Sequence, residues 1–246
     1  MDRLIHTALS GMRASMDSQR VIASNMANAN TLGFRAELLD QRAVTIEGQP
    51  LEARAMQVAR VRGADMVAGE IIETGRDLDI AMATDALMAV QAEDGTEAYP
   101  RRGDMSISAT GLLVNGEGRP VLGDNGPITI PPVGIPGIAP DGTVTIADPA
   151  TPDQPPAEVG RIKLAAWQGS PISKGLDGLF RVEGGGILPT DEAATVQVGA
   201  LEQSNVKTTE VLVEMIDAQR LFAMRSKVIA TAREIDESGA QLMRLG

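Results

Sequence analysis

Few side chains in this sequence could do covalent chemistry, and those that could are badly spaced for it. His6 is the only histidine and there is no cysteine, so a Ser-His-Asp relay would rest on His6 alone. No thiolate nucleophile, disulfide or thiolate zinc site can be built. Ser204 and Lys207 stand at the S-x-x-K spacing of serine acyl-transferases, and Thr208-Thr209 faintly echoes K-T-G. The glycine is missing and no S-D-N accompanies it, so this reads as a chance match where a helix begins. Asp77 with Asp79, or Asp124 with Asp141, could chelate a cation but lack the D-x-[DN]-x-[DN]-G spacing of a calcium loop. Aspartate in β-turns is the simpler reading. "GEGRPVLG" is misspaced for a dinucleotide fingerprint, and "GGG" at 184–186 reads as a flexible turn. No catalytic residue, metal, cofactor or small-molecule substrate is expected.

Amide chemistry is concentrated instead. Asn25, Asn28 and Asn30 fall within six positions, followed by Gly33 and Phe34. Asparagine competes for backbone hydrogen bonds and tolerates left-handed backbone. The three amides could therefore end a helix, cap free carbonyls or bond a neighbouring chain.

The element that must position them is an amphipathic helix over residues 3–28. Leu9, Met12, Met16, Ala23 and Met26 follow heptad-like spacing, with Gln19 as the polar member. Gly11 weakens that helix by about 1 kcal/mol relative to Ala, which a close helix contact would explain. A second helix is predicted over about 206–243, with Ser204, Asn205 and Thr208 as candidate caps. It carries two stripes. Leu221, Val228, Ile235 and Leu242 recur every seven residues, as do Met215, Phe222 and Ile229, the latter widened by Leu212, Ile216 and Ala223. Two stripes require partners on two sides, and the first helix supplies one. Leu9, Met12, Met16 and Met26 are expected against one of these stripes, within one subunit or between neighbours.

Between the helices the sequence turns rich in Gly and Pro, with short alternating runs such as "DMSISA", "GPITIP", "GTVTIA" and "RIKLAAW". Turn signals at Glu117-Gly118, Asp124-Asn125-Gly126 and Asp141-Gly142 separate them. A further strand is predicted at "RAVTIE", and the Pro-rich 147–158 reads as a surface loop. The expected fold class is α+β, with paired, coiled-coil-like long helices at the N- and C-termini flanking a central all-β domain. Its segments are a helix and Asn-rich junction (1–35), a connector (36–76), the β domain (77–190), a return connector (191–204) and the final helix (205–246).

Composition narrows the partners. A net charge of −11 argues against nucleic acid. The charge sits in the centre: the two terminal segments are nearly neutral, as expected of buried ends and a solvated middle. Aromatic residues make up 2% of the chain and methionine occurs twelve times, which suits repacking interfaces. There is no run of 18 apolar residues for membrane insertion. Arg3, His6 and Arg13 interrupt any apolar core of a secretory signal, which taken alone favours the cytoplasm.

"SGMRASMDSQRVIASNMANANTLGFRAE" resembles the N-terminal signature of the bacterial flagellar rod and hook proteins, and "LEQSNVKTTEVLVEMIDAQRLFAMRSKVIATAREIDESGAQLMRL" their C-terminal signature. "GADMVAGEIIETGRDLDIAM" and "RRGDMSISATGLLVNGEGRPVLGDNGPITIP" look like their central β domain. The likeness is greatest to proximal-rod members, with distal-rod members as the alternative. One departure is "ALMAVQAEDG" (86–95), where related chains often carry a Gly-Phe-Phe-type segment. The resemblance implies a structural subunit of the flagellar basal body whose terminal helices line an axial tube. It implies copies of itself, other rod proteins and the flagellar type III export apparatus as partners, with unprocessed export to the periplasmic space replacing the cytoplasmic inference. The assembly interface would then comprise the helix stripes, the Asn25–Phe34 junction and Asn205. A competing reading, an enzyme or wall-binding module anchored by its helices, would need a concave polar pocket within residues 80–190.

Overall fold

A computed structural model describes residues 2–46, 54–151 and 154–244, with side chains described for all of these except 2–6, 41, 43–46, 54–61, 236 and 239–244. Two long helices, α1 (Asp2–Ala27) and α2 (Thr208–Arg244), flank a strand-rich middle, so the fold class is α+β. By contact the chain forms two units. One holds residues 1–27, 37–63 and 207–246; the other holds 28–36 and 64–206.

In the first unit, α1 buries Ser10, Ala14, Ser15, Val21, Ile22 and Asn25 on one side, which recur at three-, four- and seven-residue intervals as a helix face must. The expected connector contains two long strands, β1 (Glu37–Ile46) and β2 (Arg54–Ala64), which pair with each other. The strand predicted at "RAVTIE" is the second half of β1 through Ile46, and its last residue lies outside the described residues. α2 opens where the Val211 amide donates to the Lys207 carbonyl at 3.1 Å, and Glu210 in its first turn suits the positive helix end.

The two helices touch through polar groups. Gln19 Nε2 donates to the Ala218 carbonyl at 3.4 Å, and the Arg225 guanidinium donates to the Gly11 carbonyl and Ser15 Oγ. A Cβ at Gly11 would lie 3.6 Å from Arg225 Nε. The helix contact at Gly11 is therefore with one side chain at ordinary packing distance, which does not require a glycine.

In the second unit, the first and last strands close on each other: Ile71–Glu73 pairs antiparallel with Ala200–Glu202, and Ile80–Met82 with Val196–Val198. The intervening chain forms short hairpins and one three-stranded sheet over Ile135–Ile138, Thr143–Ala147 and Ala157–Arg161. The signalled turns occupy turns. Gly118, Gly126 and Gly142 have φ of 79°, 109° and 85°, angles that glycine adopts without a Cβ clash. Asp141 accepts from the Thr143 amide and hydroxyl at 3.0 and 2.9 Å, which also holds its carboxyl below the ordinary aspartate range.

Residues 87–90, inside the departing segment, show how the core is made. Leu87 and Ala89 join Tyr99, Phe180 and Leu188 in one apolar cluster; Met88 and Val90 join Ile80, Met105, Leu113 and Val144 in another. Alternate side chains of an extended segment point to opposite faces. A run apolar at every position is therefore buried on both sides.

Candidate functional site

The junction after α1 is held by its own amides. Asn25 is buried, with Nδ2 donating to the Glu37 carbonyl at 3.1 Å and Oδ1 accepting the Glu37 amide at 2.8 Å. It thus pairs with strand backbone as another strand would. Asn28 accepts from the Thr31 hydroxyl at 3.1 Å through Oδ1, and from the Thr31 amide at 3.1 Å through its carbonyl. This turns the chain out of the helix. Asn30 is exposed. Of the uses open to these amides, Asn25 takes a backbone pairing inside its own unit.

Gly33 has φ of 65° and donates its amide to the Glu202 carbonyl at 2.8 Å, and a Cβ there would sit 2.4 Å from the Arg101 carbonyl carbon. Phe34 is buried under Lys174, whose Nζ lies 3.2 Å from the ring centroid and donates to the Arg35 carbonyl at 2.8 Å. Asn205 is a clamp within the second unit. Its Oδ1 accepts the Ala36 amide at 2.7 Å, while Nδ2 donates to the Asp65 and Val67 carbonyls, both at 2.9 Å.

Beneath lies a network that sequence reasoning missed. Glu202 sits between two guanidiniums, Arg35 Nη2 and Arg101 Nε each 2.7 Å from one of its oxygens, with all three side chains at most 3% exposed. Arg101 donates further to the carbonyls of Thr84, Ala86 and Met82, and Arg35 to that of Val67. Glu202 also accepts the Gly69 amide at 2.9 Å. Burial lowers the Arg35 pKa to about 10, Glu202 opposing the shift, so the group stays charged at neutral pH. Charged residues are exposed by default, and nothing in the local spacing of these three announces otherwise.

The helix stripes divide. On α1, Leu9, Met16 and Ala23 are exposed while Met12 and Met26 are half-buried. On α2, Met215, Phe222 and Ile229 are half-buried, and Leu212, Ile216, Leu221, Ala223, Val228 and Ile235 are exposed. Leu9 and Met16 remain exposed within the chain, and Ser10, Ala14 and Val21 hold the buried side. Leu242 lies outside the described side chains.

The residues first weighed for covalent chemistry are used locally. Ser204 Oγ accepts the Val206 amide at 3.2 Å, and Lys207 Nζ pairs with Glu210 at 3.0 Å. Asp79 is buried and accepts from the Thr74 hydroxyl at 2.7 Å. The side chain of His6 lies outside the described set. Among the described residues, no cluster of three His, Asp or Glu could hold a metal, and no helix is long and apolar enough to cross a membrane. The second unit does have a concavity of about 650 Å³, lined by Asp94, Thr96, Glu97, Arg181 and Ile187. Its charged groups are engaged with neighbours: Asp94 with Thr96, Glu97 with Lys163 at 2.6 Å, and Arg181 with both oxygens of Asp177.

Three family models match this chain. The one described as "Flagella basal body rod protein" matches residues 5–35, "Flagellar hook protein FlgE/F/G D1 domain" residues 81–146, and "Flagellar basal body rod FlgEFG protein C-terminal" residues 197–242. The chain is 40% identical over 251 residues to flagellar basal-body rod protein FlgF of Salmonella typhimurium, with 100% of both chains covered. The FlgF of Escherichia coli K12 is 39% identical over the same span, again covering both chains fully. Flagellar basal-body rod protein FlgG of Bacillus subtilis is 31% identical over 267 residues, covering 99% of this chain and 100% of that one. The matched termini contain α1 with its asparagine junction and α2 with its clamp at Asn205. The chain belongs to the flagellar basal-body rod protein family.

Proposed function

We propose that this chain is a structural subunit of the proximal flagellar rod, assembling with copies of itself and other rod proteins through its terminal helices. The observation that carries the proposal is the exposed apolar stripe of α2, where Leu221, Val228 and Ile235 are 40%, 55% and 54% exposed, matched on α1 by Leu9 at 41% and Met16 at 57%. Apolar side chains at helical spacing are retained in water when another chain covers them. In this reading the terminal helices pair as a coiled coil and line the axial channel, and Asn30 adds a polar contact between subunits. The chain transmits torque and has no catalytic role. It reaches the periplasmic space unprocessed through the flagellar export apparatus.

Val228→Glu tests this. The variant should keep the thermal unfolding midpoint of the parent within a degree or two, since the position is exposed, yet be missing from purified basal bodies and fail to restore swimming to a strain lacking the gene. Normal swimming with Val228→Glu present in basal bodies would sink the proposal.

A further inference from the structure

Two faces of α1 are complementary to each other and cannot meet within one molecule. The outward face carries Leu9, Arg13, Met16, Arg20 and Ala23, all exposed and within one strip at 3.6 residues per turn. It is apolar and basic, and Arg13 and Arg20 make no ion pair among the described residues. On the opposite side, α1, β1 and α2 enclose an open groove of about 460 Å³. Its floor is Val21, Ile22, Leu39 and Ala218, and its rim carries the carboxylates of Glu37, Glu214 and Asp217. Leu221 ends the groove and begins the exposed stripe that continues to Val228 and Ile235.

We infer that this groove receives the outward α1 face of a second copy of the same chain, Met16 entering the apolar floor and Arg13 and Arg20 meeting the acidic rim. Charge complementarity selects the occupant. An acidic rim repels the acidic bulk of this protein, while the outward face of α1 presents two cations beside its apolar side chains. Because donor face and groove lie on opposite sides of one helix, the contact is heterologous. Each copy leaves one face free for the next, so repetition generates a ring or an open array instead of a closed two-fold dimer. The inference rests on the assembly reading above and adds direction and register to it.

The natural absence of cysteine provides the test. Full-length chains bearing Met16→Cys with one tag and Leu221→Cys with another are expressed together in flagellated cells lacking the native gene, and basal bodies are purified after mild oxidation. A disulfide-linked product carrying both tags is expected, and neither variant alone should dimerise. Adding Arg13→Glu and Arg20→Glu to the first chain should lower its yield about tenfold, and Glu214→Arg with Asp217→Arg in the second should restore it. Both tags present in basal bodies without the mixed product would overturn the inference and leave the rod proposal standing. So would dimers of a single variant, or a product joining either tag to a different chain. Absence of the tagged but otherwise unchanged chain from basal bodies would remove the rod proposal and this inference together. If Leu221→Cys does not assemble, Leu38→Cys, at an exposed position lining the same groove, carries the same expectations.

Discussion

At the scale of single residues, Glu202 is the most exacting position. One carboxylate neutralises two buried guanidiniums and accepts a backbone amide, so its loss strands two charges in a dry site. Breaking a buried pair costs about 3 to 5 kcal/mol, and Glu202→Ala should reach the upper part of that range in denaturant unfolding. Arg35→Met should cost clearly less, because Glu202 keeps Arg101 and the desolvation that depresses the Arg35 pKa disappears with the charge. Equal losses in the two variants would show that the carboxylate is not shared as described. Gly33 is constrained for a different reason. Its positive φ disfavours any side chain, and a methyl would collide with the Arg101 backbone. Gly33→Ala should therefore destabilise by more than the roughly 1 kcal/mol of an unfavourable φ alone, read as a lowered urea midpoint.

At the scale of elements, α1 illustrates how one period can serve two faces, only one of which is buried within the chain. The heptad-like stripe from Leu9 to Met26 exists on the helix, yet the buried side is the one with Ser10, Ala14, Ser15, Val21, Ile22 and Asn25. Small side chains admit Arg225 of α2 beside the α1 backbone, and Asn25 must face Glu37 to satisfy strand amides. Those two polar requirements fix the rotation of the helix, and the larger apolar residues turn outward. Since a Cβ at Gly11 would meet Arg225 only at ordinary contact distance, Gly11→Ala should stabilise the protein. The expected gain is up to about 1 kcal/mol, measured as a rise in unfolding midpoint. A loss of stability would show that the helix contact is tighter than described.

At the scale of the whole molecule, stability is distributed unevenly. Residues 80–82 and 86–90 are buried on either side of an exposed bend at 83–85, whereas α2 beyond Ala218 exposes most of its described side chains, Arg225 and Ile229 being among the partly covered ones. Native-state exchange follows burial and local contact density. Amides of the buried residues Ile80–Met82 and Leu87–Val90 should exchange only through global opening in dilute solution, and those from Leu221 to Ile235 should exchange orders of magnitude faster. Assembly into basal bodies should slow the second set. Equal protection of both segments in the monomer would contradict an α2 stripe that waits for a partner.

The sequence alone was sufficient for whatever depends on neighbours along the chain. Helical period, the interruption at Asn28 and glycine turns at 118, 126 and 142 all follow from local geometry and side-chain type. The terminal signatures marked the family for the same reason, being long contiguous patterns. The long strands of 37–64 were mostly hidden, because β1 has mixed polarity with no clean alternation. What the tertiary structure alone decided were pairings between distant positions: Asn25 with Glu37, Asn205 with Ala36, Glu202 with Arg35 and Arg101, and the α1 face that stays in solvent. A buried charge or amide looks like an exposed one in sequence, since only its partners, brought together by closure of loops from 12 residues for Asn25 to 169 for Asn205, make its burial affordable.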